Sequence, residues 1–163
     1  MTRNTFRLLA VASCMTALAG RAYSAGAGAV DEPKPKTVGA PPSAEARYNQ
    51  GEASAKERDW KHAEVAYREA TVLKPTFAEA WNGLGHSLKS LQRYDDAVRA
   101  YQEALRLRPQ FPQAMEYLGE AYVQMGKADE AKKLLEQLKP LDAKQADALA
   151  RVIDGGEHQK PTW

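Results

Sequence analysis

The sequence is poor in several kinds of chemistry. It holds a single cysteine, Cys14, in 163 residues, and none lies beyond residue 25. That later part can form no disulfide, thiolate nucleophile or cysteine metal site. Three histidines, His62, His86 and His158, are too few and too scattered for a histidine-built metal centre. No glycine-rich phosphate loop opens a helix, since the Gly-Ala-Gly-Ala run at 26–29 follows an apolar segment and precedes no helical pattern. Net charge is also small: 23 basic against 21 acidic side chains give +2. Three of those basic residues, Arg3, Arg7 and Arg21, fall in residues 1–25, which contain no acid, so the remainder carries 20 against 21, or −1. A surface balanced in this way does not attract nucleic acid or an anionic membrane. These absences predict a protein that is not an enzyme, with no cofactor, no metal and no small-molecule substrate.

Long apolar runs are scarce too. The longest, Leu8 to Gly20, spans 13 residues and ends at Arg21, short of the roughly 20 that a membrane-spanning helix requires. Preceded by a short positive start (Met1 to Arg7) and followed by small residues (Arg21 to Ala29), it has the three parts of a secretory signal. Residues 1–25 are therefore expected to be removed, after Ser24 or Ala27. The expected destination is the bacterial periplasm or the exterior. A lipid anchor through Cys14 is the alternative, because Val11-Ala12-Ser13-Cys14 resembles a lipobox. The apolar run continuing to Leu18 speaks against it. Residues 26–43 carry four prolines and three glycines and read as a flexible linker, and 155–163 as a disordered tail.

What the sequence does have is a period. Gly51, Gly85 and Gly119 stand 34 residues apart, as do Ala63, Ala97 and Ala131. Tyr67 and Tyr101 continue to Leu135, and Ala70 and Ala104 to Leu138; Leu84 pairs with Leu118, Trp60 with Tyr94 and Pro75 with Pro109. Seven columns in one register mark a repeat. Within the middle unit Trp81, Leu84, Leu88 and Leu91 recur at helical spacing, and Ala97, Tyr101, Ala104 and Leu105 do so again. Only Ser90 to Tyr94 separates the two stripes, so each unit is predicted to be a helical hairpin, closed by its proline. Glycine in the first helix and alanine in the second lack bulk where the two come close. The large Trp81, Tyr101 and Leu118 are expected to fill the space between hairpins. A stack of hairpins leaves an apolar end face. Residues 142–154 are expected to cover it with one more helix, capped by Asp142, buried through Ala143, Ala146, Leu149, Ala150 and Ile153, and stopped by Gly155.

These columns resemble the tetratricopeptide repeat (TPR) family. The middle unit carries the match best, with Trp81, Leu84, Gly85, Tyr94, Ala97, Tyr101, Ala104 and Pro109 in the family's positions. The first unit has Arg47 where an aromatic opens the pattern, and the third closes on Leu135, Leu138 and an early Pro140. The resemblance implies an all-α, right-handed superhelical stack of three TPR hairpins, at 44–77, 78–111 and 112–141, plus the C-terminal capping helix. It also implies a concave groove lined by the first helix of each hairpin, binding a partner protein's peptide or helix. By column the groove would present Tyr48, Asn49, Glu52 and Lys56 from the first unit. Asn82, His86 and Lys89 would come from the second, and Glu116, Tyr117, Glu120 and Gln124 from the third. The lysine, arginine and asparagine set with which some family members hold C-terminal carboxylates is not reproduced, because Glu52 and Tyr117 occupy two of its columns. The groove is instead expected to favour a segment with basic and apolar side chains. A structural or assembly role through self-association is the alternative.

Rival chemical readings of single residues are weak. Ser87 beside His86 points away from it on a helix, which disfavours a nucleophile–base pair. Glu116 and Glu120 at i, i+4 suit a solvated helix face before a cation site, and Trp60 and Trp81 suit packing before ligand stacking. Trp163 belongs to no column.

Overall fold

The computed structural model describes residues 42–157. Among these, the chain forms seven helices and no strand: α1 (Ala44–Lys56), α2 (Trp60–Leu73), α3 (Ala78–Ser90), α4 (Tyr94–Leu107), α5 (Pro112–Gln124), α6 (Ala128–Leu138) and α7 (Ala143–Glu157). The expected signal, the cysteine, most of the linker and Trp163 lie outside the described residues.

Each hairpin is closed by the same local geometry. Arg58, Gln92 and Gly126, again 34 apart, have positive φ of 60°, 61° and 72°. In the middle hairpin the Arg93 amide donates to the Leu88 carbonyl and the Gln92 amide to the Lys89 carbonyl. This is a Schellman turn, which closes the last carbonyls of α3 and reverses the chain. The first and third hairpins repeat its longer bond, Asp59 to Ser54 and Lys127 to Tyr122. Helix starts are set by side chains at three places. The Ala46 amide donates to the Ser43 hydroxyl at 3.1 Å, His62 to the Asp59 carboxylate at 3.2 Å and Gln145 to the Asp142 carboxylate at 3.0 Å.

The glycine column has a specific packing role. A Cβ on Gly51 would lie 2.7 Å from the Tyr67 ring, and one on Gly85 would lie 2.6 Å from the Tyr101 ring. Each glycine therefore makes room for the tyrosine of its own second helix, and both tyrosines are buried. The third hairpin has Leu135 in the tyrosine column, and Gly119 instead receives Leu149 of α7, 2.6 Å from where its Cβ would stand. The seventh helix thus takes over the job of the missing aromatic. Leu149 packs with Ala146, Ile153, Met115, Ala131 and Leu138 in one buried cluster.

Three details depart from expectation. Helix α7 runs through Gly155 to Glu157, so that glycine does not stop it. Ala143 is exposed and Ala150 only half-buried, which narrows the covering face to Ala146, Leu149 and Ile153. Trp81 is half-buried rather than enclosed, with its indole N–H donating to the Pro75 carbonyl at 2.9 Å.

Hairpin stacking leaves the two sets of helices in different settings. On one side α1 touches α3 and α3 touches α5, whereas the backbones of α2 and α4 do not approach each other and an ion pair between Glu64 and Arg93 links them. The first helices therefore form a continuous inner surface, and the second helices stand apart on the outside.

Candidate functional site

A cleft of about 300 Å³ opens on the inner surface. Six of the eleven residues expected in the groove line it: Tyr48, Glu52 and Lys56 from α1, Asn82 and His86 from α3, and Tyr117 from α5. Three more, Lys89, Glu120 and Gln124, line a neighbouring hollow of about 410 Å³ with Tyr94 and Val152. Asn49, which is exposed, and Glu116, which is half-buried, line neither.

The aromatic lining is built by cross-helix contacts. Tyr48 sits 5.7 Å from the Tyr67 ring and 5.0 Å from that of Phe77, centre to centre. On the other side His86 stacks on Tyr117 at 4.9 Å with 19° between planes, and Trp60 meets His86 edge-on at 5.1 Å. Trp60 is therefore a flank of the inner surface as well as a packing residue. Lys89 stands 4.5 Å over the Tyr117 ring and pairs with Glu120, tying α3 to α5. Among the described residues that is the only ion pair joining residues of the expected groove.

Glu52 is the electrostatic centre of the cleft. It accepts a hydrogen bond from the Tyr67 hydroxyl. No cation pairs with it among the described residues. Burial and the Glu52 charge push the Tyr48 hydroxyl up to about 12, and burial with its hydrogen bond to Glu52 raises Tyr67 further. Both tyrosines remain neutral donors at any physiological pH. Burial, followed by Lys89, holds His86 below the ordinary histidine range, so its ring is neutral at pH 7. Burial and then Glu120 raise the Glu116 carboxyl.

Several lining residues were not foreseen. Glu79, Gly83, Phe111 and Gln113 all face the cleft. Gly83 matters most, because a Cβ there would stand 2.6 Å from the Tyr67 ring. Its bareness admits that ring beneath α3. The available signal was the doubled glycine of Gly83-Leu84-Gly85, whose first member lies outside the repeat columns. Glu79 and Gln113 occupy one column, also 34 apart. Asn82 is 7% exposed, and its amide donates weakly to Gln113 at 3.4 Å. The Asn82 carbonyl oxygen is buried and has no hydrogen-bond partner.

A larger hollow of about 460 Å³ lies between α2 and α4 on the outside. Its rim holds Arg68, Arg93, Asp96, Arg99 and Glu103 over Trp81 and Leu88. The charges there are mutually satisfied: Glu64 binds Arg68 and Arg93, and Asp96 binds Arg93 and Arg99. Among the described residues no group of three or more His, Cys, Asp or Glu side chains is placed to hold a metal ion.

Comparison with known proteins agrees with this architecture. Residues 88–152 match the tetratricopeptide repeat family. No curated protein matches the chain in sequence. Among solved structures, the TPR2B-domain–pHsp70 complex of yeast Sti1 superposes with a TM-score of 0.67 at 20% identity, over 72% of this chain and 98% of that one. The Yersinia enterocolitica type III secretion chaperone SycD, in complex with a peptide of the translocator YopD, gives 0.64 at 18% identity, over 72% and 94%. MamA is more similar in sequence, at 31% identity with a TM-score of 0.59, over 64% of this chain and 61% of that one. The described residues thus adopt the tetratricopeptide repeat fold, built as three helical hairpins closed by a seventh helix.

Proposed function

We propose that this chain is an exported, non-catalytic adaptor that holds a peptide or helix of another protein against the inner surface formed by α1, α3 and α5. The observation that carries this reading is the cleft itself. It combines half-buried aromatic faces with a carboxylate, Glu52, that has no cationic partner among the described residues. Aromatics supply contact area at low entropic cost, and an uncompensated charge selects the sign of what binds. Two structures of similar fold are complexes, one of yeast Sti1 with pHsp70 and one of SycD with a peptide of YopD, which supports a protein partner for this chain. Export rests on the pattern of residues 1–29, and cell fractionation tests it.

The binding reading is tested by photo-crosslinking. A photoreactive residue at Asn49, beside the cleft, should trap a partner in envelope extracts, and one at Arg99 on the outside should not. The partner should be lost when Glu116→Lys and Glu120→Lys are combined in a folded protein. Capture from Arg99 alone would move the function to the outer face.

One observation favours assembly as a second reading. Val65 and Val72 on α2 are 54% and 74% exposed, in columns where α4 carries Arg99 and Arg106. Antiparallel pairing of two α2 helices would set Val65 against Val72 and Arg68 against Glu69 of a second copy, a self-complementary arrangement. A mass that rises with concentration, and falls back when Val72→Arg is introduced, would establish that pairing.

A further inference from the structure

His86 is a half-buried imidazole at which three helices meet on the inner surface. Trp60 of α2 meets it edge-on, and the Tyr117 ring of α5 stacks on it at 4.9 Å. Lys89, one turn further along α3, stands over the same Tyr117 ring and pairs with Glu120 of α5. One ring and one carboxylate of α5 thus serve two side chains of α3, of which Lys89 alone is charged at pH 7. That ion pair is shielded, with the Lys89 and Glu120 side chains 16% and 23% exposed. From α1, Glu52 and the exposed Lys56 line the same cleft as His86. Glu116, one turn before Glu120 on α5, is half-buried and also feels the Lys89 charge.

Among these charges Lys89 opposes a proton on His86 most strongly, whereas Glu120 and then Glu52 favour one. Such coupling is reciprocal, so an imidazolium at this place pushes on Lys89 as hard as Lys89 resists it. The two cations are not held alike. An imidazolium keeps its place between Trp60 and Tyr117, because an aromatic face attracts a cation. The Lys89 ammonium is strongly hydrated, sits on a flexible stem and is already reached by solvent. Lys89 is therefore the group that yields.

We propose that protonation of His86 displaces Lys89 from Tyr117 and Glu120 into the inner groove, so that the groove releases its partner in acid. The proposal rests on the reading of the inner surface as a binding groove and supplies the regulation of that groove. The imidazolium takes over the Tyr117 face and the Glu120 carboxylate. The freed ammonium then adds positive charge to a surface whose unpaired carboxylates, Glu52 and Glu116, select a basic segment. Because burial and Lys89 depress the folded pKa of His86, release lies on the acid side of the ordinary histidine value of about 6.5. Glu116, raised by burial and by Glu120, also loses charge in acid, and variants of His86 separate the two groups.

The test is an NMR titration of the full chain between pH 7 and 5, following the side-chain signals of His86, Lys89 and Tyr117. The Lys89 and Tyr117 signals should move with those of His86 at one shared midpoint, and the Lys89–Tyr117 proton contact should fade. His86→Gln, and His86→Phe, which keeps a flat ring, should abolish that midpoint in the Lys89 signals. A His86 midpoint that leaves Lys89 on the Tyr117 ring of the unaltered chain would overturn the proposal, whatever the variants do. An unchanged Lys89 midpoint in either folded variant would overturn it too. Partner capture from Asn49 should fall at least about fivefold between pH 7 and 5, and His86→Phe should remove that dependence. Capture that is constant with pH yet still dependent on Glu116 and Glu120 would remove the regulation alone. Capture unaffected by changes at Glu116 and Glu120 would remove the groove reading.

Discussion

The inner and outer helices are built from one repeat yet treat charge in opposite ways. On the outside, Arg68, Glu64, Arg93, Asp96 and Arg99 form a continuous chain of ion pairs across two hairpins. On the inside, Lys89 pairs with Glu120 and Glu79 with Arg108. Glu52 and Glu116 form no ion pair among the described residues, and Asn82 keeps an orphan acceptor. A surface whose charges are satisfied internally gains solubility and hairpin register, with little energy left for a partner. A surface with unsatisfied groups and half-buried rings holds that energy in reserve for recognition. On the proposed reading, binding belongs to the inner face and the outer ion pairs serve stability.

The largest effect should come from the residue that joins the two faces. Tyr101, on α4, is wholly buried against Gly85 of α3. Tyr101→Ala should lower unfolding free energy by about 3–5 kcal/mol, read from denaturant midpoints, and should damage both faces at once. The Tyr101 hydroxyl is buried without a partner. Tyr101→Phe should therefore be neutral or mildly stabilising, since it removes an unpaired polar group. A large loss from the phenylalanine variant would show that the hydroxyl has a role that the geometry does not contain.

Cutting the outer network should cost less. Glu64 pairs with Arg68 on its own helix and reaches across to Arg93 at the start of α4, with its side chain 15% exposed. Glu64→Ala is expected to cost about 1 kcal/mol in stability and nothing in partner affinity. A change in affinity would break the division between faces. Turn chemistry comes next, where Gln92 holds the positive φ that Gly126 holds in the third hairpin. Gln92→Gly should gain about 0.5–1 kcal/mol by relieving the left-handed backbone. A loss would mean that the Gln92 side chain does more than close the turn.

The smallest effect is on pH. His86 faces Trp60, Tyr117 and Lys89, with Glu120 and Glu52 nearby, and its folded pKa is depressed, first by burial and then by Lys89. The unfolded chain binds this proton first as pH falls below the ordinary histidine value of about 6.5. The His86 contribution to stability should therefore be complete above that value and decline below it, down to the depressed folded pKa. His86→Gln should flatten the stability profile between pH 7 and 5, and an unchanged slope would place the titration elsewhere.

Much of the fold was legible because spacing in a repeat is itself geometric. The glycine, alanine and tyrosine columns mark where two helices approach, and the structure supplies the mechanism: ring against bare backbone. The departure in the third hairpin was legible only as a missing tyrosine. That Leu149 would fill its place requires knowing where α7 lands. Helix α7 continues through Gly155 despite the low helix propensity of glycine, with Ile153 buried just before it. The site was read less completely. Column position assigns a residue to the inner surface, which located Tyr48, Glu52, Asn82, His86 and Tyr117. It does not say which neighbours satisfy one another, so the orphan acceptor of Asn82, the Tyr67 ring against Gly83 and the link from Trp60 to His86 appear only in three dimensions.

The central claim is that recognition belongs to the inner face, while the outer ion pairs serve stability alone. Titration calorimetry of the crosslinked partner's segment against the unaltered chain, Glu52→Gln and Glu64→Ala tests it most directly. The account predicts an affinity loss of about tenfold for Glu52→Gln at unchanged melting temperature, with full affinity for Glu64→Ala. Undiminished binding by Glu52→Gln, together with weakened binding by Glu64→Ala, would contradict it and place the partner on the outer helices.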